Sequence, residues 1–131
     1  MLNAYKGYKR KIPRYGAALL NQNLTKILLV SQYRSETYYG FPAGKVNENE
    51  DGLQCALRET LEETGYDADN LNPIRQDNIA RICGETFKQI FIVPGVPEDF
   101  PFKPLVRKEI GNINWFSIKE VQSSFSFIHH N

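Results

Sequence analysis

The chain has 131 residues, 41% of them apolar and 24% charged, which suits one soluble domain able to bury a core without staples. No apolar run approaches the roughly 18 residues of a membrane-spanning helix, so no membrane partner is expected. Two cysteines, Cys55 and Cys83, make no disulfide framework and read as reduced packing residues, which fits a cytoplasmic setting. The net charge is only +1, but it is segregated along the chain. Residues 6–14 carry Lys6, Lys9, Arg10, Lys11 and Arg14 with no acid. This basic start, residues 1–13, lacks the apolar stretch of a signal peptide. It reads equally as a polyanion contact and as a solvated terminus.

Residues 15–20 (YGAALL) read as a strand, 21–23 as a turn, and 26–30 (KILLV) as a second, buried strand, so the two form a hairpin. A polar loop is expected at 34–38. The segment 39–44 (YGFPAG) is read as turn-rich, its glycine and proline residues bringing backbone close to a ligand. Tyr33, Tyr38 and Tyr39 are read both as base-stacking groups and as packing.

Residues 44–66 (GKVNENEDGLQCALRETLEETGY) carry most of the functional signal. Asp51 or Asn49 can cap a helix here, and Gly65 suits its end. Leu53, Leu57, Thr60, Leu61 and Thr64 recur at a 3.6-residue period and are predicted to form the buried face. Glu59, Glu62 and Glu63 stand at i, i+3 and i+4, where like charges repel and call for a cation among them. Hard divalent ions take such carboxylate oxygens and bring substrate phosphates with them. Gly52 and Ala56 are placed on the acidic side, leaving room for a ligand. Three glutamates alone also read as a solvated helix face. The glycine before the helix and the candidate buried Arg58 favour the metal reading.

Beyond the helix, residues 78–83 and 86–93 alternate as strands of a second hairpin around Gly84 and Glu85. Residues 94–104 hold four prolines and are predicted irregular. A further strand is expected at 112–116, and Ser117 can cap a C-terminal helix through Val121. His129 and His130 read as a frayed end. The order predicts a single α+β domain over 1–131, with a mixed sheet packed against helices.

Gly44, Glu50, Arg58, Glu59, Glu62, Glu63 and Gly65 match in register the box of the Nudix hydrolases, so segment 44–66 resembles that family. Thr60 and Tyr66 depart from it, standing where aliphatic residues are usual. The resemblance implies the Nudix α/β/α sandwich, with the mixed sheet between helices. It implies Mg2+ or Mn2+ held by Glu59, Glu62, Glu63, Glu109 and the Gly44 carbonyl. Glu62, Glu63 and Glu109 would be the catalytic set, with Glu109 the candidate general base. Arg58 would pair with Glu50 and orient the helix.

Three further segments resemble the catalytic domains of eukaryotic mRNA-decapping enzymes, from about Tyr8 to Val121. They are YKRKIPRYGAALLNQNLTKILLVSQY, FPAGKVNENE and VRKEIGNINWFSIKE. That resemblance implies capped RNA as substrate, giving 7-methyl-GDP and 5′-monophosphate RNA, with decapping activators as partner candidates. Arg34, Lys45, Lys103, Arg107 and Lys108 are phosphate-contact candidates, although each alone reads as a surface charge. Ala43 departs from the lysine usual in decapping enzymes. The sequence starts at the family's linker, so its N-terminal regulatory domain is expected to be either absent or cut away, and its C-terminal basic helix at best partial. Two alternatives stay open: hydrolysis of a small nucleotide (dinucleoside polyphosphate, nucleoside triphosphate or 5′-triphosphate RNA), and a non-catalytic RNA-binding module.

Overall fold

Apolar residues alternate along the strands so that both faces of one sheet are covered. The computed structural model describes residues 12–32, 38–71, 78–83, 86–106 and 110–122. Among them the strands are β1 (Arg14–Leu20), β2 (Lys26–Gln32), β3 (Tyr39–Gly40), β4 (Ala43–Lys45), β5 (Asn78–Cys83), β6 (Thr86–Val93) and β7 (Ile110–Ser117). The one long helix described, α1, spans Gly52–Thr64, and a 3-10 turn covers Ala68–Leu71. The sheet runs β3-β2-β1-β6-β5, with β4 paired to β1 and β7 to β2. β1 and β6 are parallel and the other pairs antiparallel, so the sheet is mixed.

On one face, Ala17 and Leu19 of β1 pack with Leu28, Val93, Val96, Tyr66 and Ala68, joined by Leu57 from α1. On the other, Ala18, Ile27, Leu29 and Ile90 pack with Phe116, Ile118 and Val121. Residues 118–122 are helical, so helical elements lie on both faces and the α/β/α arrangement holds. The proline-rich stretch 94–104 is irregular as expected but well anchored. Val96 N–H donates to the Leu20 carbonyl at 2.9 Å, and Phe100 and Phe102 enter an aromatic chain. Ring centroids are 5.0 Å apart for Tyr66–Phe100 and Phe100–Phe102, and 5.9 Å for Phe102–Trp115. Such pairs contribute about 0.5–1.5 kcal/mol each beyond area burial.

The ends of α1 follow from sequence chemistry. The Asp51 side chain accepts from the Gln54 N–H at 2.8 Å, while the Asp51 N–H donates to the Gln54 side chain at 2.9 Å. This reciprocal pair satisfies two otherwise open donors. Gly65 closes the helix at φ 79°, a left-handed conformation that costs glycine nothing.

Two expectations need correction. Segment 39–44 is not only a turn: it contributes the short strands β3 and β4 on either side of Pro42. The Pro42 carbonyl accepts from Ala17 N–H at 3.1 Å, tying this segment to β1. The buried face of α1 was also misplaced in part. Thr60 and Thr64 are buried, but the deepest apolar residues are Cys55 and Ala56, while Leu53, Leu57 and Leu61 are half-buried. Ala56 therefore does not open the acidic side. Small residues let α1 sit close on β1 and β4, with Gly52 against the Tyr15 ring.

Candidate functional site

Strand β4 and helix α1 build the site between them. Gly44, at the centre of β4, faces α1, and a Cβ there would overlap the Glu59 carboxylate. Glycine is thus required for Glu59 to lie over the strand. From behind, the buried Cys55 thiol donates to the Gly44 carbonyl at 3.5 Å and fixes the strand against the helix. Burial, together with the nearby Glu50 charge, pushes that thiol up to about 11, so it stays protonated.

Arg58 organises the acidic face. Its Nε donates to Glu50 Oε2 at 2.7 Å and its Nη2 to Glu50 Oε1 at 3.0 Å, a bidentate pair. Nη2 also donates to the Lys45 carbonyl at 3.0 Å, linking β4 to the helix. On the other edge, Nη1 donates to Glu59 Oε2 at 3.0 Å and lies 3.5 Å from Glu62 Oε2. The Arg58 bond holds the Glu50 carboxyl below the usual glutamate range, against the opposing effect of burial. The same bond raises the Arg58 guanidinium further above its ordinary value. Glu50 also accepts from the Asn47 N–H at 2.9 Å, which fixes the loop entering the helix.

Exposure grades outward. The Glu50 and Glu59 side chains are 14% and 15% exposed, while Glu62 is 37% exposed. Inner carboxylates are therefore held by protein and the outer one faces solvent. Three carboxylates meet one guanidinium, so the cluster keeps an excess of negative charge. Glu63 stands half-buried four residues beyond Glu59, on the same side of α1. Segment 103–106 crosses the helix end: Leu105 and Val106 N–H donate to the Glu62 carbonyl at 2.8 and 3.2 Å, and Lys103 N–H to the Thr64 carbonyl at 2.8 Å. The last turn, which carries Glu62 and Glu63, is thereby held from outside.

The donor chemistry fits a hard divalent ion. Glu59, Glu62 and Glu63 offer carboxylate oxygens from one helix side, while the Gly44 carbonyl accepts from the Cys55 thiol. The space left by the missing Gly44 Cβ is what admits Glu59 there. Among the described residues no three ligating side chains converge on one point, because Glu59 and Glu62 both turn onto Arg58.

The other expected site residues divide. Lys45 and Lys103 are exposed, as phosphate contacts require. Glu109, Arg34, Arg107 and Lys108 lie outside the described residues, as do Tyr33, the basic run Lys6–Lys11, and His129 and His130. Tyr38 is exposed, whereas Tyr39 packs edge-on to Phe116 and accepts from Asn114, so Tyr39 is a packing residue. Sequence reading overlooked the Cys55 bond to Gly44 and the Arg58 bond to the Lys45 carbonyl. A buried cysteine one turn before Arg58, on a helix facing a glycine strand, was the available signal.

The NUDIX domain model matches residues 10–130. The chain is 41% identical over 123 residues to mRNA-decapping enzyme subunit 2 of Saccharomyces cerevisiae (strain YJM789), covering 94% of this chain and 12% of that protein. It is 36% identical over 118 residues to mRNA-decapping enzyme subunit 2 of Arabidopsis thaliana, covering 90% of this chain and 31% of that one. The chain thus spans less than a third of the length of either relative. Among solved structures, the Ap4A hydrolase of Caenorhabditis elegans is similar with a TM-score of 0.67, covering 86% of this chain and 85% of that one. At 16% identity that likeness concerns the fold alone.

Proposed function

This chain belongs to the NUDIX domain family, and from that premise we propose that it is a divalent-metal-dependent pyrophosphohydrolase that removes the 5′ cap of RNA. The observation that carries the reading is the similarity to decapping enzymes over 94% of the chain, with the residues gathered around Gly44 and Arg58 included. Products would be 7-methyl-GDP and 5′-monophosphate RNA. Decapping activators would be its protein partners and the cytoplasm its setting.

Each residue has a physical task in this scheme. Glu59, Glu62, Glu63 and the Gly44 carbonyl would hold Mg2+ or Mn2+. When bound, the ion supplies polarisation of the phosphoryl oxygens and a lowered pKa for water. Arg58, fixed by Glu50 and the Lys45 carbonyl, keeps α1 and β4 in one register, so the glutamates meet the phosphates from a rigid base. Glu109 accepts the proton of the attacking water as the phosphorus–oxygen bond of the anhydride breaks. Lys45, Lys103, Arg34, Arg107 and Lys108 offset the phosphate charge. Ala43 packs into the sheet core, so cations elsewhere must do the work of the lysine usual at that position.

The test is a substrate panel: capped RNA, free cap analogue, 5′-triphosphate RNA and dinucleoside polyphosphates, each with Mg2+ and Mn2+, products resolved by chromatography. Capped RNA should be the best substrate. Faster cleavage of dinucleoside polyphosphates would replace decapping by the small-nucleotide reading. No cleavage of any would leave the non-catalytic RNA-binding one.

A further inference from the structure

Segment 101–106 (PFKPLV) crosses the end of α1 and brings two aliphatic side chains to the edge of the acidic site. Phe102 anchors it from within the protein, with its ring 5.0 Å from that of Phe100 and 5.9 Å from that of Trp115. Its own amides anchor it to the helix. Lys103 N–H donates to the Thr64 carbonyl at 2.8 Å, and Leu105 N–H donates to the Glu62 carbonyl at 2.8 Å. Val106 N–H donates to that same carbonyl at 3.2 Å. The segment therefore runs back along the last turn of α1, from Thr64 to Glu62. Glu62 bears the outermost carboxylate of the Arg58 cluster, with its side chain 37% exposed.

Leu105 and Val106 are themselves 60% and 46% exposed. Single apolar residues at a surface are ordinary. These two are consecutive, their backbone is fixed by the helix end, and they adjoin a site suited to phosphates. Apolar surface in that position gains by being covered when a ligand binds. The covering group must be flat or apolar and must be joined to the phosphates that meet the glutamates. A nucleobase has both properties. Aliphatic side chains carry no donor or acceptor, so the pair takes any base without reading its edges. The cap base, 7-methylguanine, is cationic and favours aromatic faces. The exposed Lys103 ammonium, two residues before Leu105, repels it, and the nearby carboxylates of Glu59 and Glu62 are engaged by Arg58. The first base of the RNA is neutral and meets no such penalty.

We propose that Leu105 and Val106 form a shelf for the base of the first RNA nucleotide, the one that keeps its 5′-phosphate after the anhydride breaks. The placement of the shelf stands on the amide bonds to α1; the identity of the nucleotide rests on the decapping reading.

The test is a double cycle over protein and base. Wild type is compared with Leu105→Ser/Val106→Ser and with the apolar pair Leu105→Met/Val106→Ile. The ligands are short RNAs with adenine at the first nucleotide or with that nucleotide abasic. Capped forms give KM and kcat, and 3′-labelled 5′-monophosphate forms give Kd by anisotropy with Mg2+. With the base present, the serine pair should raise KM and Kd about tenfold at unchanged kcat, the step expected from withholding about 60 Å2 of apolar contact. Removing the base should cost wild type a similar factor. The two losses should not add, because each removes the same contact. The apolar pair should behave as wild type. Unchanged KM and Kd in the serine pair would overturn the shelf. So would losses that add, a loss the apolar pair shares, or weakened binding of 7-methyl-GDP in the serine pair, which would put the cap base there instead. If wild type does not cleave capped RNA yet the Kd cycle is non-additive, decapping fails and the shelf stands.

Discussion

Thr60 and Thr64 lie one turn apart on the buried side of α1, yet their hydroxyls have opposite circumstances. Thr64 Oγ1 donates to the Thr60 carbonyl at 2.7 Å and accepts from the Tyr66 N–H at 3.1 Å. Thr60 Oγ1 is fully buried and has no hydrogen-bond partner among the described residues. A buried hydroxyl left unpaired costs about 1–3 kcal/mol. Thr60→Val keeps the shape and β-branching, has a similar helix propensity, and replaces that hydroxyl by a methyl group. After allowing for imperfect fit, a gain of about 1 kcal/mol is expected. For a chain of this length that raises the melting temperature by roughly 4 °C. Thr64→Val should do the reverse, losing about 1–3 kcal/mol because the buried Tyr66 N–H is left without its acceptor. Urea unfolding at unchanged m-value measures both. If Thr60→Val destabilises by about 1 kcal/mol or more, or if both variants shift the midpoint equally, the hydroxyl of Thr60 is paired and the reasoning is refuted.

Three other variants probe the site itself. Glu50→Gln should cost about 2 kcal/mol at neutral pH, because a charge-assisted bidentate bond is lost and Arg58 keeps only the Lys45 carbonyl, Glu59 and Glu62. The Glu50 carboxyl is lowered in the folded chain, so its contribution is present above the ordinary glutamate pKa and is lost as pH falls through the lower folded value. Acid unfolding should accordingly be shallower in Glu50→Gln than in wild type; equal slopes would contradict the pairing. Gly44→Ala should barely affect stability without metal, since the overlapped group is the movable end of Glu59. It should nevertheless abolish most of the melting-temperature rise produced by Mg2+ or Mn2+, and a full metal-induced rise would remove Gly44 and Glu59 from the metal site. Gly65→Ala should lower stability by about 1–3 kcal/mol, because it puts a side chain at positive φ, where its Cβ would also lie 2.7 Å from the Lys103 carbonyl oxygen. A neutral result in urea unfolding would show that the 103–106 segment does not hold the helix end.

What the sequence revealed and what it concealed follow from the range of the interactions involved. The long strands β1, β2, β5 and β6 carry enough alternating residues to be seen alone, and the ends of α1 are marked by Asp51 and Gly65. β3 and β4 are too short to show a period; they exist through pairing with β2 and β1. A helical period finds the leucines of α1, but not that the small Cys55 and Ala56 seat the helix closest to the sheet. The box glutamates were legible because their spacing is local. The contact of Arg58 with Glu59 and Glu62 was not, since a side chain among three acids can choose any of them.

The central claim is metal-dependent removal of the RNA cap by the glutamates of α1. The most direct measurement is single-turnover cleavage of cap-labelled RNA by wild type and Glu63→Gln, with Mg2+ or Mn2+ and with excess chelator. The account predicts labelled 7-methyl-GDP from wild type with metal, and little release from Glu63→Gln or in chelator. Wild-type rates that persist in chelator, or an undiminished rate in Glu63→Gln, would contradict it.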